Sequence, residues 1–148
     1  MTRIGRTAAE LAVGQRATFT RTFTEDDVKK FADVTWDHNP YHLHPEFAAR
    51  ARFGRPIVHG MLVAAAFTHF GGDFFPGPGI LAYRVEMDFS KPVYPGDSVT
   101  FTCEIIEVDP TRERVVYRTT GVNAAGDTVC VVTCQGIPTA VEISDEAE

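Results

Sequence analysis

Residues 34–44, with the sequence VTWDHNPYHLH, contain the side chains best suited to chemistry. Asp37 and His42 lie on either side of an Asn-Pro pair. A carboxylate near an imidazole is suited to general acid–base catalysis, because imidazole has an unperturbed pKa of about 6.5 and the carboxylate can orient it or a bound water. The same residues are common in turns, where Asn-Pro begins the turn and Asp caps a backbone amide. Alone, this segment is more typical of a turn than of a site.

A second segment, RPIVHGML at positions 55–62, supports the chemical interpretation. Its His59-Gly60 pair lies where a helix is predicted to begin, so the first N–H groups have no acceptor within the helix and the helix dipole is positive there. Such N–H groups in an apolar interior stabilise a carbonyl oxygen that gains negative charge, and glycine allows a ligand to approach closely. The two segments together predict acid–base catalysis on a carbonyl compound with an apolar tail.

The pattern of apolar residues predicts five strands and three helices. The strands are predicted at 15–23, 79–89, 97–108, 113–123 and 127–137, and the helices at 24–34, 45–52 and 61–67. The last four strands follow one another through short turns, which favours an antiparallel sheet, and helices collected on one face make the fold class α+β. The chain 1–148 is predicted to be one domain with an acidic tail that is frayed from about residue 140.

The helix predicted from Met61 to Phe67 has no polar stripe. A helix that is apolar all round is expected to be enclosed by other structure on every side. Gly71 and Gly72 are suited to end it. A curved antiparallel five-stranded sheet wrapped around this buried central helix is the simplest arrangement that encloses it.

Charge and composition narrow the range of partners. The net charge of −6 disfavours nucleic acid and anionic membrane surfaces, because both attract basic proteins. The longest apolar run, MLVAAAF, is too short to span a bilayer, and positions 1–15 lack the apolar core of a secretory signal. Cys103, Cys130 and Cys134 lie in strand-like segments without CxxC spacing, so we expect reduced, packed thiols in a cytoplasmic protein.

Three segments in order, WDHNPYH, RPIVHGML and MDFSKPVYPGDSVT, resemble the MaoC-like dehydratases, and more specifically the R-specific enoyl-CoA hydratases of the hot-dog fold. The loop of that family, Asp-x-Asn-Pro-aliphatic-His, matches positions 37–42, and the resemblance extends from Phe23 to the last strand. It implies a homodimer, or a dimer of dimers, with sheets joined edge to edge. It also implies hydration of a trans-2-enoyl thioester of coenzyme A or acyl carrier protein, without a cofactor or metal.

The resemblance also implies roles for individual residues. Asp37 and His42 are expected to activate a water for attack at C3 of the thioester, while the Gly60 N–H polarises its carbonyl. The expected substrate-binding or supporting residues are Asn39, His59, Thr68, Arg55 and Lys91. Of these, Asn39 is expected to brace the loop. Apart from the resemblance, the positive charges of Arg50, Arg52, Arg55 and Lys91 are suited to the phosphates of the coenzyme, although a solvated basic surface is at least as good an explanation for any one of them.

Two residues depart from the family pattern. Trp36 occupies a position that is often glycine in relatives, and Tyr41 replaces the usual aliphatic residue. Since tryptophan disfavours the positive φ that glycine adopts freely, the loop is expected to bend differently. Either ring could narrow or cap an acyl pocket, which leaves the acyl chain length open.

Three other functions stay open. Asp37, His38, His42 and His44 could bind a metal ion, which chelation with metal analysis would reveal. A hot-dog thioesterase would use the same scaffold and release a free thiol from an enoyl-CoA. A non-catalytic subunit would bind the thioester without converting it, whereas a hydratase removes the conjugated absorbance and keeps the thioester.

Overall fold

The computed structural model describes residues 1–145, in which an antiparallel five-stranded sheet carries most of the core. The strands are β1 (Thr2–Gly5), β2 (Arg16–Thr22), β3 (Leu81–Phe89), β4 (Ser98–Asp109), β5 (Arg114–Asn123), β6 (Thr128–Ile137) and β7 (Ala140–Ile143). The large sheet has the order β2-β4-β5-β6-β3, with every neighbouring pair antiparallel. The five predicted strands and the α+β class are confirmed.

The helices lie between β2 and β3 and are all short. They are α1 (Glu25–Thr35), α2 (Pro40–Leu43), α3 (Pro45–Arg50), α4 (Gly60–Ala65) and α5 (Thr68–Gly72), and a 3₁₀ turn covers Ala8–Glu10. Thr24 caps α1 as predicted, because its hydroxyl accepts the Asp27 N–H at 3.1 Å while the Asp27 carboxylate accepts the Thr24 N–H at 2.9 Å. None of the described helices is long and apolar enough to cross a membrane.

Alternation along the strands separates the core face of the sheet from its outer face. In β4, Val99, Phe101 and Cys103 are buried and alternate with partly exposed threonines. The outer face of the β2–β4 pair carries a ladder of hydroxyl groups, such as Thr20 to Thr100 at 2.8 Å. The three cysteines are buried and unpaired, as predicted, and burial raises the pKa of the Cys103 thiol to about 12.

The central helix differs from the prediction, because it consists of α4 and α5 with a tighter turn between them. In this turn, i→i−3 hydrogen bonds replace the α-helical pattern, and the Thr68 hydroxyl donates to the Ala65 carbonyl at 2.8 Å. α5 ends at Gly72, as expected. Val63 and Phe70 are buried against the sheet, but Met61 is 55% exposed and His69 is also exposed. The prediction of enclosure on every side is therefore wrong, since one sheet covers only one face of the helix.

The two ends of the chain also differ from the prediction. β1 pairs with β7 in a separate two-stranded sheet, with Thr2 opposite Ile143 and Gly5 opposite Ala140. The tail is thus not frayed from residue 140, because β1 supplies backbone partners for 140–143. Strands of four residues are too short to be recognised from apolar periodicity. The predicted fraying of 146–148 lies outside the described residues.

Candidate active site

The segment after α1 begins with a left-handed residue. Trp36 has φ 63° and ψ 18° and closes the C-terminus of α1, and its side chain is 85% exposed. The expectation that tryptophan would avoid positive φ is therefore wrong. The turn at the end of the helix requires this conformation, which glycine adopts freely and which costs other residues roughly 1–2 kcal/mol.

Two side chains in the loop cap backbone groups next to them. The Asp37 carboxylate accepts the Asn39 N–H at 3.1 Å, and the Asn39 side-chain oxygen accepts the Tyr41 N–H at 3.1 Å. Asn39 is thereby the N-cap of α2, with Pro40 at its first position. This cap is consistent with the bracing role expected of Asn39, which stays a prediction. The turn interpretation and the catalytic interpretation of this segment are compatible, because the Asp37 carboxylate has a second oxygen available.

The position and tautomer of His42 are set by the segment that precedes α4. Its Nδ1 lies 2.8 Å from the Ile57 carbonyl oxygen, which can only accept, so Nδ1 carries the proton in the neutral ring. Nε2 is then unprotonated and basic. The half-buried ring is held by α2 on one side and by residues 57–59 on the other. This arrangement leaves His42 with one nitrogen that can accept a proton from a water.

His59 lies beside both members of the predicted catalytic pair. Its Nε2 donates to the Asp37 backbone carbonyl at 3.1 Å, and its ring stacks on that of His42 with centroids 3.9 Å apart. The side chain is 1% exposed, and Phe31 of α1 packs against it with centroids 4.8 Å apart. Sequence reasoning placed His59 among the substrate-binding residues. A side chain buried in this way has almost no surface to offer a substrate, so that assignment is corrected.

Burial lowers the pKa of His59, and the neighbouring His42 and His38 rings lower it further. The hydrogen bond to the Asp37 carbonyl and the Asp37 charge act in the opposite direction, but burial is the largest cause. His59 is therefore held in the neutral form near neutral pH.

The metal-binding set considered from the sequence is not assembled. His44 Nδ1 accepts the Phe47 N–H at 3.1 Å as the N-cap of α3, and His38 Nδ1 lies 3.1 Å from the Trp36 carbonyl oxygen. The structure instead groups Asp37, His42 and His59, whose side-chain polar atoms lie within 4.8 Å of one another. A metal ion bound by Asp37, His42 and His59 does not follow from the sequence, because the set considered there contained His38 and His44 and did not contain His59.

Gly60 forms part of the wall of a cavity of about 240 Å³. The cavity is lined mainly by apolar side chains, with the basic side chains of Arg52 and Lys91 among them. A Cβ at position 60 would lie 3.0 Å from the ring of Phe89 in β3. A side chain at position 60 would therefore crowd the Phe89 ring, whereas glycine leaves the backbone open on this side of the cavity. Sequence reasoning did not identify Phe89, whose contact with Gly60 depends on the tertiary structure.

The remaining predicted substrate-binding residues are distributed around the molecule. Lys91 lines the Gly60 cavity and pairs with Asp127 at 3.0 Å. Arg55 stacks on the ring of Tyr94 with its guanidinium carbon 3.6 Å from the centroid, whereas Arg52 lines the cavity. Thr68 lines a separate cavity of about 480 Å³ together with Phe19, Arg21, Leu62, Ala65, Ala66, His69 and Asp73. Substrate contacts of Arg55 and Thr68 stay predictions.

Comparison with known proteins identifies relatives of this chain. A family model described as "MaoC like domain" matches residues 7–126. An (R)-specific enoyl-CoA hydratase of Aeromonas caviae is 43% identical over 98 residues, which are 66% of this chain and 73% of that protein. A 3-hydroxybutyryl-CoA dehydratase of Methylorubrum extorquens is 37% identical over 105 residues, 71% of this chain and 67% of that protein. The solved structure of an R-hydratase of Pseudomonas aeruginosa has a TM-score of 0.82 at 32% identity, covering 99% of this chain and 97% of that one.

The lowered pKa of His59 predicts acid destabilisation that depends on this residue. Below about pH 6.5, His59 takes up a proton in the unfolded chain but not in the folded chain. The contribution of His59 to the free energy of unfolding is therefore complete above that pH and is lost as the pH falls toward the pKa that His59 has in the folded chain. Each pH unit in that window costs at most about 1.4 kcal/mol. Urea unfolding of the wild type and of His59→Gln at two pH values measures the difference. The same pH dependence in both proteins would contradict the assignment.

Proposed function

The chain belongs to the MaoC-like family, and on this premise we propose that it is an R-specific enoyl-CoA hydratase, a hydro-lyase with the hot-dog fold. It adds water to a trans-2-enoyl thioester and, in reverse, dehydrates an R-3-hydroxyacyl thioester. The observation that supports this most is the grouping of Asp37 and His42 in one loop, with their polar atoms within 4.8 Å. The R configuration is proposed from the names of the relatives.

The proposed mechanism assigns separate roles to the two side chains. His42 Nε2 takes a proton from the water, because Nδ1 already carries the proton donated to the Ile57 carbonyl. The Asp37 carboxylate orients this water through the oxygen that does not accept the Asn39 N–H. The remaining hydroxide bonds to C3, the C2–C3 π electrons move through C1 to the thioester oxygen, and the carbonyl then re-forms as C2 takes the proton that His42 carries.

Negative charge on the thioester oxygen requires a donor, for which we propose the Gly60 N–H. Gly60 is the first residue of α4, so its N–H has no acceptor within the helix. α4 is only six residues long, so this direct hydrogen bond matters more than the helix dipole invoked from the sequence. The same glycine borders the 240 Å³ cavity, which can bring the thioester carbonyl close to the N–H.

The acyl-CoA substrate fits the character of that cavity. Most of its lining is apolar, and Arg52 and Lys91 add positive charge suited to the phosphates of coenzyme A. Acyl carrier protein stays an alternative carrier, since dehydratases of that substrate are among the relatives. The three buried thiols support a cytoplasmic location, which stays a prediction.

A homodimer joined through the edge of β3 is proposed as the working form. Val85, Met87 and Phe89 pair with core residues of β6, so they point to the core face, yet Val85 and Phe89 are exposed. The opposite edge, β2, is different, since it carries a row of threonines and two arginines. An apolar edge strand with free backbone groups favours pairing with a second copy. A second sheet would also cover the exposed face of the central helix.

The catalytic pair is tested with two nearly isosteric variants. Asp37→Asn and His42→Gln are each expected to lower kcat for enoyl-CoA hydration by roughly 10²–10⁴-fold, because each removes a group that moves or orients the water. The loss of enoyl absorbance gives the rate, and a thiol reagent detects any thioesterase. His38→Gln is the control in the same loop and is expected to keep wild-type activity. Wild-type turnover in either catalytic variant would refute the mechanism.

The proposed phosphate contact is tested by reversing charge. Arg52→Glu is expected to raise KM for an enoyl-CoA several-fold with little change in kcat, because the contact is equally strong in the ground state and in the transition state. Arg50→Glu is the matched control, since Arg50 pairs with Glu46 and does not line the Gly60 cavity. Equal effects of both variants would show that only the general charge of this surface matters.

The dimer is tested by placing a charge on the core face of the edge strand. Val85→Lys is expected to convert a dimer of twice 16.3 kDa into a monomer, because the interface would bury an unpaired ammonium group. Asp88→Lys puts the same charge on the outer face of β3 and is expected to remain dimeric. Light scattering after size exclusion measures both masses. A monomeric wild-type protein would contradict the proposal.

A further inference from the structure

We infer that His59 is a positioning residue for both members of the catalytic pair. One side chain holds the backbone of Asp37 by a hydrogen bond and supports the ring of His42 by stacking. This inference rests on the proposed function, because it concerns the same site. It assigns His59 a role in the reaction without contact to the reacting atoms.

The hydrogen bond to Asp37 determines the tautomer of His59. A carbonyl oxygen can only accept, so the contact of 3.1 Å requires the proton on Nε2. Nδ1 then carries a lone pair, and this buried nitrogen has no hydrogen-bond partner among residues 1–145. A second proton on the ring would create a buried N–H without an acceptor, which is unfavourable. His59 therefore keeps one proton and one orientation.

The charges around His59 explain why a neutral ring is needed. Asp37 contributes a carboxylate, the loop contributes His42 and His38, and α1 contributes the uncharged ring of Phe31. His42 must become positively charged when it takes the proton of the water. A second cation with its centroid 3.9 Å away would oppose this step by repulsion. A neutral ring supports His42 by stacking without placing a second positive charge beside it.

Asp37 is held by the hydrogen bond from His59 in addition to two local hydrogen bonds, from its N–H to the Thr35 hydroxyl at 3.2 Å and from the Asn39 N–H to its carboxylate at 3.1 Å. The carboxylate is attached to a residue that follows a strained left-handed Trp36 and precedes the single turn of α2. The hydrogen bond to the Asp37 carbonyl is the one that joins the first part of this irregular segment to the buried residue before α4, while Tyr41 and His42 are joined to Ile57. Without the hydrogen bond from His59, the Asp37 carboxylate could shift by up to about one ångström. A misplacement of that size costs about 10²-fold in rate.

A core histidine that only fills space would behave differently on substitution. His59→Phe keeps a ring for stacking and removes the donor, whereas His59→Gln keeps a side-chain N–H at a similar reach and removes the ring. For a space-filling residue, Phe would be the better replacement. For a positioning residue that acts through its hydrogen bond, Gln would be the better one.

The kinetic test compares these two variants with the wild type on an enoyl-CoA substrate. We expect His59→Phe to lose about 100-fold in kcat with KM little changed, and His59→Gln, which restores the donor to Asp37 but lacks the ring stacked on His42, to lose clearly less. Thermal unfolding shows that both variants are folded at the assay temperature. Wild-type kcat in His59→Phe, or an equal loss in both variants, would overturn the hydrogen-bonding role.

A second measurement does not depend on activity and keeps the inference separate from the proposed function. NMR of protein labelled with ¹⁵N-histidine, with His59→Gln used to assign the signal, reports the protonation of each ring nitrogen. At neutral pH we expect a neutral His59 with the proton on Nε2. A proton on Nδ1 alone, or an imidazolium at that pH, would overturn the inference. A wild-type chain without hydratase activity but with the expected tautomer would refute only the proposed function.

Discussion

The loop that carries Asp37 and His42 is held by hydrogen bonds to residues 57–59, which directly precede α4. Three of these bonds involve the loop: the Ile57 N–H donates to the Tyr41 carbonyl at 3.1 Å, His42 to the Ile57 carbonyl at 2.8 Å, and His59 to the Asp37 carbonyl at 3.1 Å. On the other side of the segment, the Val58 N–H donates to the Val93 carbonyl at 2.8 Å. The loop has no regular element longer than the four residues of α2, so it has little stability of its own. Segment 57–59 joins it to the β3–β4 connection and continues directly into Gly60 of α4. The two catalytic side chains and the proposed oxyanion donor are therefore set by the same short stretch of backbone.

The site also contains features that are unfavourable for stability. Trp36 holds a left-handed conformation, and His59 Nδ1 is buried without a partner among the described residues. Such features persist only where surrounding contacts determine them, and they are concentrated at functional sites. Both features lie next to Asp37: Trp36 precedes it in the chain, and His59 donates a hydrogen bond to its backbone carbonyl. The core of the protein, built from the alternating residues of β4, β5 and β6, contributes the stability that offsets them.

A single chain leaves apolar surface open on the side of the central helix that the sheet does not cover. Met61 is exposed on α4, and Val85 and Phe89 are exposed on the edge strand β3. Phe89 lies at the Gly60 wall of the cavity, so the proposed dimer edge and the proposed site share a side chain. Assembly and catalysis would thus be connected through β3, which is consistent with a site that works only when this edge is covered.

The sequence alone determined the parts of this protein that depend on local pattern. Strand periodicity, the Thr24 cap, the buried cysteines and the spacing of Asp37, Asn39 and His42 were all readable, because each depends on residues near one another in the chain. Three features could not be read from the sequence: the pairing of β1 with β7, the division of the central helix into α4 and α5, and the exposed face of that helix. They depend on contacts across the chain and on how much surface one sheet can cover. The same reason applies to His59. Its sequence position suggested contact with substrate, and only the tertiary structure shows the ring packed against Phe31 and His42 with Nε2 directed at the Asp37 carbonyl, the contacts that support a positioning role.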